Sequence, residues 1–279
     1  MMQEASKATS IGVFDSGFGG LTVLRALLEQ LPGANYTYLG DTARLPYGAK
    51  SQATVARYAV SSARFLVEEG AEYLVIACNT ASALALDAIR DAVRVPVLGV
   101  IETGANAALA STKARDVLVM ATAATVESHA YAAACAERGL RAYEKACPLL
   151  VPLVEEGWID HPVTNEVLRI YLAELLAESA DRKLSPDTLV LGCTHYPLLR
   201  AQIARAVPES MHVIDSADVT AEQVAEAIPG LKEKNRSERS GFQGSRLFYA
   251  TDSVSKFRRL GEKFLGTPID EVTLIDLGG

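Results

Sequence analysis

The sequence predicts an α/β fold, built as two similar doubly wound domains with mainly parallel sheets that face each other across a cleft. Three observations carry this. Short apolar runs rich in Val, Ile and Leu alternate with long amphipathic segments along the 279 residues, the rhythm of strand–helix units. Most runs are continuous rather than alternating, as in parallel strands covered by helices on both faces. One phrase is written twice, "YLVIACNT" at 73–80 and "TLVLGCTH" at 188–195. Each copy is a strand-like run, a small residue, a cysteine and two polar residues.

The first strand is expected over 10–14 and runs into "FDSGFGGLTVLRAL". Asp15 and Ser16 stand at its carboxyl end, and Gly17, Gly19 and Gly20 open the next helix. The glycines permit a tight turn that aims N–H groups outward, toward a carboxylate or phosphate. The run is not the dinucleotide fingerprint G-x-G-x-x-G, because Thr22 stands in the last glycine's place. An ordinary strand–helix turn does not readily explain Asp15; a carboxylate there could accept a proton, orient a thiol or hold an ammonium group. The second strand, 35–39, leads into "GDTARLPYGAKS", an aperiodic stretch at a strand's carboxyl end that reads as a functional loop. Tyr47 and Gly48 are placed there to close over a ligand. A helix over 51–69 returns the chain to a strand at 73–77, which ends at Cys78.

Strands at 95–98, 116–120 and 141–145 follow. "CPLLVPLVEEGWID" then brings two prolines and the Glu155–Glu156 pair to where the second domain meets the first. Glu155 reads there as a site residue or, equally, as a solvated one. A helix over 164–181 precedes the strand at 188–191, which leads to Cys193. A strand at 212–214, a helix at 219–228 and strands at 246–249 and 272–275 complete the pattern. Residues 230–245, "GLKEKNRSERSGFQGS", are charged and Gly/Ser-rich and read as a surface loop.

A net charge of −7 argues against nucleic acid or an anionic membrane as the main partner. No apolar run reaches the ~18 residues of a membrane span. The start, MMQEASKATS, lacks the apolar stretch of a secretory signal, so a cytoplasmic protein is expected. Cysteines at 78, 135, 147 and 193 are too scattered for a disulfide framework in that compartment.

Open α/β sheets bind ligands at the carboxyl ends of their strands. Helix-terminal amides beside a cysteine there favour the thiolate and lower its pKa from about 8.5. Two such cysteines, one per half, put a sulfur on each side of a ligand. Disulfide exchange prefers C-x-x-C, which is absent. Zinc takes three or four ligands at short local spacings, and Cys78, Cys193 and His195 have no second local pair, so no metal is expected. Removing a proton from one face of a carbon and returning one to the other needs two groups, which is racemisation or epimerisation by general acid–base catalysis. A single-cysteine transferase or hydrolase, a non-catalytic binding protein, and a pair of plain core cysteines are the other readings.

The segments FDSGxGGLTV, GDTARxPYG, ACNTAS, ATxxTVxSxAY, CPxLVPLVExG and LGCTHYP run in order from Ile11 to Pro197 and continue weakly through "FYATDS" to about Leu265. Together they resemble the cofactor-independent glutamate racemases. The resemblance implies interconversion of L- and D-glutamate for peptidoglycan synthesis, with no cofactor. It implies two flavodoxin-like domains about a pseudo-twofold axis, 1–102 plus 213–279 and 103–212. Cys78 and Cys193 then correspond to the acid–base pair, with Asp15, Glu155 and His195 assisting. Asp15, Ser16, Tyr47, Gly48, Asn79, Thr80, Thr194 and His195 correspond to substrate contacts. A homodimer is compatible with it, and a racemase of aspartate or another acidic amino acid is the nearest rival. The chain departs from the family at Glu102-Thr103-Gly104, where a proline often precedes the glycine. No lysine lies in these motifs, so neither a Schiff base nor pyridoxal phosphate is expected, and neutral donors would hold the substrate carboxylates. Arg44, the only cation in the motifs, is not placed by the sequence. The thiols exchange roles each turnover, so both pKa values should lie near working pH.

Overall fold

The computed structural model describes residues 9–228 and 244–278. Almost all of the charged segment 230–245 therefore lies outside the described residues. Two parallel sheets form. The first has six strands: β1 (Ser10–Asp15), β2 (Asn35–Gly40), β3 (Tyr73–Ile76), β4 (Val97–Gly99), β9 (Arg246–Ala250) and β10 (Thr273–Leu274), in the order β10-β9-β2-β1-β3-β4. The second has four: β5 (Asp116–Ala121), β6 (Arg141–Ala146), β7 (Thr188–Gly192) and β8 (His212–Ile214), in the order β6-β5-β7-β8. All the ladders are parallel. Each expected strand is present, with ends moved by a residue or two. The expected domain boundary between 212 and 213 falls inside β8, which stays with the second sheet through its pairing with β7.

The centre of each sheet repeats one plan, β2-β1-β3-β4 in the first and β6-β5-β7-β8 in the second. The registers make the match residue by residue. Phe14 pairs with Ile76, and Met120 pairs with Leu191. Ala77 therefore corresponds to Gly192, Cys78 to Cys193, Asp15 to Ala121 and Ser16 to Thr122.

β3 and β7 are buried along their whole lengths, which is why their sequences are continuous apolar runs without alternation. The largest core cluster takes in Val13 and Val75 of the first sheet and Leu118, Leu189 and Leu191 of the second, so one apolar interior joins the halves. Helix α4 (Val100–Ser111) runs from β4 toward the second sheet. At Glu102-Thr103-Gly104 the Thr103 side chain is hydrogen-bonded. Its hydroxyl donates to the Val100 carbonyl at 3.0 Å and lies 2.8 Å from that of Thr220. Helix α4 is continuous through this point. No helix among the described residues is long and apolar enough to cross a membrane.

Candidate active site

Most candidate side chains come from the carboxyl end of a strand or from the loop or helix start just after it, and Glu155 from the end of a short helix, Leu150–Glu155. β3 ends at Ile76, and Cys78 caps helix α3 (Asn79–Ala92), its sulfur accepting the Ala81 N–H at 3.4 Å. The Ser16 hydroxyl, at the end of β1, lies 3.5 Å from the same sulfur. On the other side β7 delivers Cys193, whose sulfur lies 3.9 Å from His195 Nδ1. The expected helix N-terminus is not formed against Cys193. The chain makes a 3-10 turn at Tyr196–Leu199 before helix α9 (Arg200–Ala206) begins.

Both sulfurs face a cavity of about 290 Å³. Ser16, Tyr47, Gly48, Asn79, Thr80, Glu155, Thr194 and His195 line it too, so it gathers every site residue expected from the sequence except Asp15. Leu45, Pro46, Pro148, Val151 and Pro152 supply an apolar wall, and no lysine or arginine among the described residues lines it. Arg44 points elsewhere: it pairs with Asp41 at 2.8 Å and lies over the Tyr58 ring.

Asp15 is fully buried behind the wall. It accepts the Gly17 N–H at 2.9 Å and the Thr194 hydroxyl at 3.4 Å. The glycine turn thus directs N–H groups inward onto Asp15, where the sequence suggests an outward anion cradle. Its other purpose is close approach: a Cβ at Gly19 would overlap Thr194 and come within 2.7 Å of His195 Nδ1. Gly48 does the same across the cleft, where a Cβ would lie 2.7 Å from that of Thr122. The Tyr47 hydroxyl is committed to Asp41, so Tyr47 gives the cavity its ring.

Electrostatics separate the two cysteines. Burial, reinforced by the Asp15 carboxylate, pushes Cys78 up to about 12, against the pull of Ser16 and the Ala81 amide. This overturns the expectation of a lowered pKa there, because the Ser16 hydroxyl and the Ala81 and Ser16 amides do not offset desolvation and a neighbouring charge. His195 goes the other way. Burial would push it down, but Cys193 and Glu155 outweigh that and raise it to about 10. Its Nε2 lies 3.3 Å from Glu155 Oε1, and Lys256 Nζ lies 3.0 Å from Glu155 Oε2. Burial raises Glu155, but His195 and Lys256 together leave it below its ordinary value. Glu155 is therefore a partner of His195 and not a solvated residue. Burial also raises Asp15, against His195 and the N–H groups of Gly20 and Gly17.

The sequence reasoning gave no role to Thr122, Lys256 or Tyr131. Thr122 has a signal in hindsight: it follows β5 as Ser16 follows β1, and its hydroxyl lies 2.9 Å from that of Thr80. Lys256, on helix α11 (Val254–Leu265), has none, because it comes from a distant segment. Among the described residues no cluster of three His, Cys, Asp or Glu is arranged to hold a metal ion.

Residues 11–224 match the model of the Asp/Glu/hydantoin racemase family. A glutamate racemase of Koribacter versatilis is 51% identical, over 96% of this chain and 98% of its own. Among solved structures, a glutamate racemase isoform of Bacillus anthracis matches with a TM-score of 0.85 at 35% identity, over 96% of this chain and 98% of its own. The Francisella tularensis glutamate racemase, solved with D-glutamate, matches at 0.84 and 34%, with the same coverages.

Proposed function

The chain belongs to the Asp/Glu/hydantoin racemase family, and on that premise we propose that it interconverts L- and D-glutamate with Cys78 and Cys193 as the opposed acid and base. The observation that carries this is two sulfurs at equivalent strand ends on one cavity. A reaction that works both faces of one carbon requires such a pair.

The substrate α-carbon would lie between the sulfurs. One thiolate takes the α-proton as the C–H bond breaks, and the thiol opposite gives its proton to the other face. At neutral pH, burial and Asp15 keep Cys78 protonated, ready to donate. His195, raised to about 10, presents a positive charge 3.9 Å from Cys193 Sγ, beside the sulfur that must carry negative charge. When Cys193 is the base, L-glutamate loses its α-proton there and Cys78 protonates the opposite face to give the D form. With no lysine or arginine on the wall among the described residues, the carboxylates would be held by Ser16, Asn79, Thr80 and Thr194, and preorganised donors would stabilise charge as it develops. Asp15, Glu155 and His195 assist the thiols, and Tyr47 and Gly48 shape the cavity. The reading includes a cytoplasmic enzyme that supplies D-glutamate to peptidoglycan synthesis.

Circular dichroism of the purified protein with L-glutamate, then with L-aspartate, tests it. Decay of the signal with glutamate alone is expected. Faster decay with aspartate would move the substrate to the shorter acid, and decay with neither would overturn the reading.

A further inference from the structure

Tyr131 lies on helix α6 (Ala130–Glu137), fully buried and outside the cavity wall. Its ring fills a slot made by two glycines. A Cβ at Gly104 would lie 2.9 Å from Cε1 and from the hydroxyl, and a Cβ at Gly192 would lie 2.9 Å from Cε2. The ring has no room to move in a close-packed interior. Its hydroxyl donates to Asn79 Oδ1 at 2.7 Å. Asn79 follows Cys78, and Gly192 precedes Cys193. One tyrosine therefore touches the immediate neighbours of both cysteines.

An asparagine amide has one acceptor oxygen and an NH2 with two donors. With Oδ1 held by Tyr131, the group left to face the cavity is the NH2. A ligand bearing carboxylates, in a cavity with no lysine or arginine on its wall among the described residues, needs that polarity. Turned the other way, the amide would set its oxygen against a carboxylate. Burial pushes the phenol well above its ordinary pKa, so it keeps its proton and remains a donor.

We propose that Tyr131 is the positioning residue for the substrate-binding face: its clamped hydroxyl fixes Asn79 with the amide NH2 toward the ligand carboxylate. This rests on the reading of the cavity as a glutamate racemase site.

The test is the steady-state kinetics of Tyr131→Phe, which keeps the ring and so the packing, alone and combined with Asn79→Ala. The equilibrium constant between enantiomers is one, so kcat/KM must change equally in both directions. The expected result is a KM raised about tenfold for both enantiomers, with kcat changed by less than about threefold, the signature of lost ground-state binding. In the Asn79→Ala background Tyr131→Phe should add less than about twofold, because the amide it orients is gone. A Tyr131→Phe variant with unchanged KM, or one whose loss multiplies in full with that of Asn79→Ala, overturns the inference while wild-type turnover leaves the function standing. A wild type inactive on glutamate overturns both.

Discussion

Cys78 stands at the N-terminus of α3, with the Ala81 N–H at 3.4 Å, the Ser16 hydroxyl at 3.5 Å and the Asp15 carboxylate buried nearby. At the matching point of the second sheet, Cys193 has His195 Nδ1 at 3.9 Å, backed by Glu155 and Lys256. The backbone plan is shared and the surroundings are not. Asp15 has Ala121 as its counterpart, and Ala77 has Gly192. Repeated topology places two sulfurs on one cavity, and each has its own set of polar neighbours. A reaction between mirror-image substrates therefore starts from a protein that is not itself symmetric. The consequence is unequal kcat and KM for the two enantiomers with an equal kcat/KM.

The comparison breaks most sharply at the sulfurs. Cys78→Ala and Cys193→Ala should each lower racemisation by about a thousandfold or more, measured by polarimetry. Survival of either variant within tenfold of wild type would mean that the pair is not a pair.

A second difference lies one residue upstream. Gly192→Ala sets a methyl 2.9 Å from the Tyr131 ring and 3.0 Å from the Met120 carbonyl, which should displace Cys193. The expected cost is about 1–3 kcal/mol of stability, with activity down about a hundredfold. Ala77→Gly, the mirror change, should cost about 1 kcal/mol and leave activity within about threefold. Thermal melts and initial rates check both; equal effects would show that the tyrosine slot is not what distinguishes the strands.

The charged side can be sharpened with Glu155→Gln. His195 is raised above its ordinary 6.5 to about 10 in the folded protein. The stability supplied by its charged form is complete below 6.5 and is lost as pH rises through about 10. Activity that needs the imidazolium falls over the same alkaline range. Without the Glu155 carboxylate the fall should move to lower pH, with activity at pH 9 reduced about tenfold. An unmoved alkaline limb would separate Glu155 from the chemistry. The smallest effect is expected at half-exposed Lys256, where Lys256→Met should cost about twofold, mostly at low salt.

Much of this was legible in the sequence, because buried parallel strands write themselves as apolar runs and each run ends on a polar word. "YLVIACNT" and "TLVLGCTH" carry the equivalence of Cys78 and Cys193 in their matching patterns. The glycines of "DSGFGG" were legible as a turn, but their direction, inward onto Asp15, was not, because it depends on what packs behind. The raised Cys78 was missed for the same reason: amides at a helix start can be read locally, while desolvation and a carboxylate from another strand cannot. The sequence does not place Arg44, because its partner Asp41 sits in the same aperiodic loop and its ring partner Tyr58 on the helix beyond it. Tyr131 sat inside a quoted motif, yet its role needs two glycines brought from residues 104 and 192.

The most direct measurement gives each single-cysteine variant the two enantiomers of 3-chloroglutamate. Loss of the α-proton then expels chloride from the neighbouring carbon, so no second acid is needed, and chloride release reports one sulfur at a time. Cys78→Ala should release chloride from the L form and Cys193→Ala from the D form, each with little reaction of the other enantiomer. Preference of both variants for the same enantiomer would contradict the opposed placement of the two sulfurs.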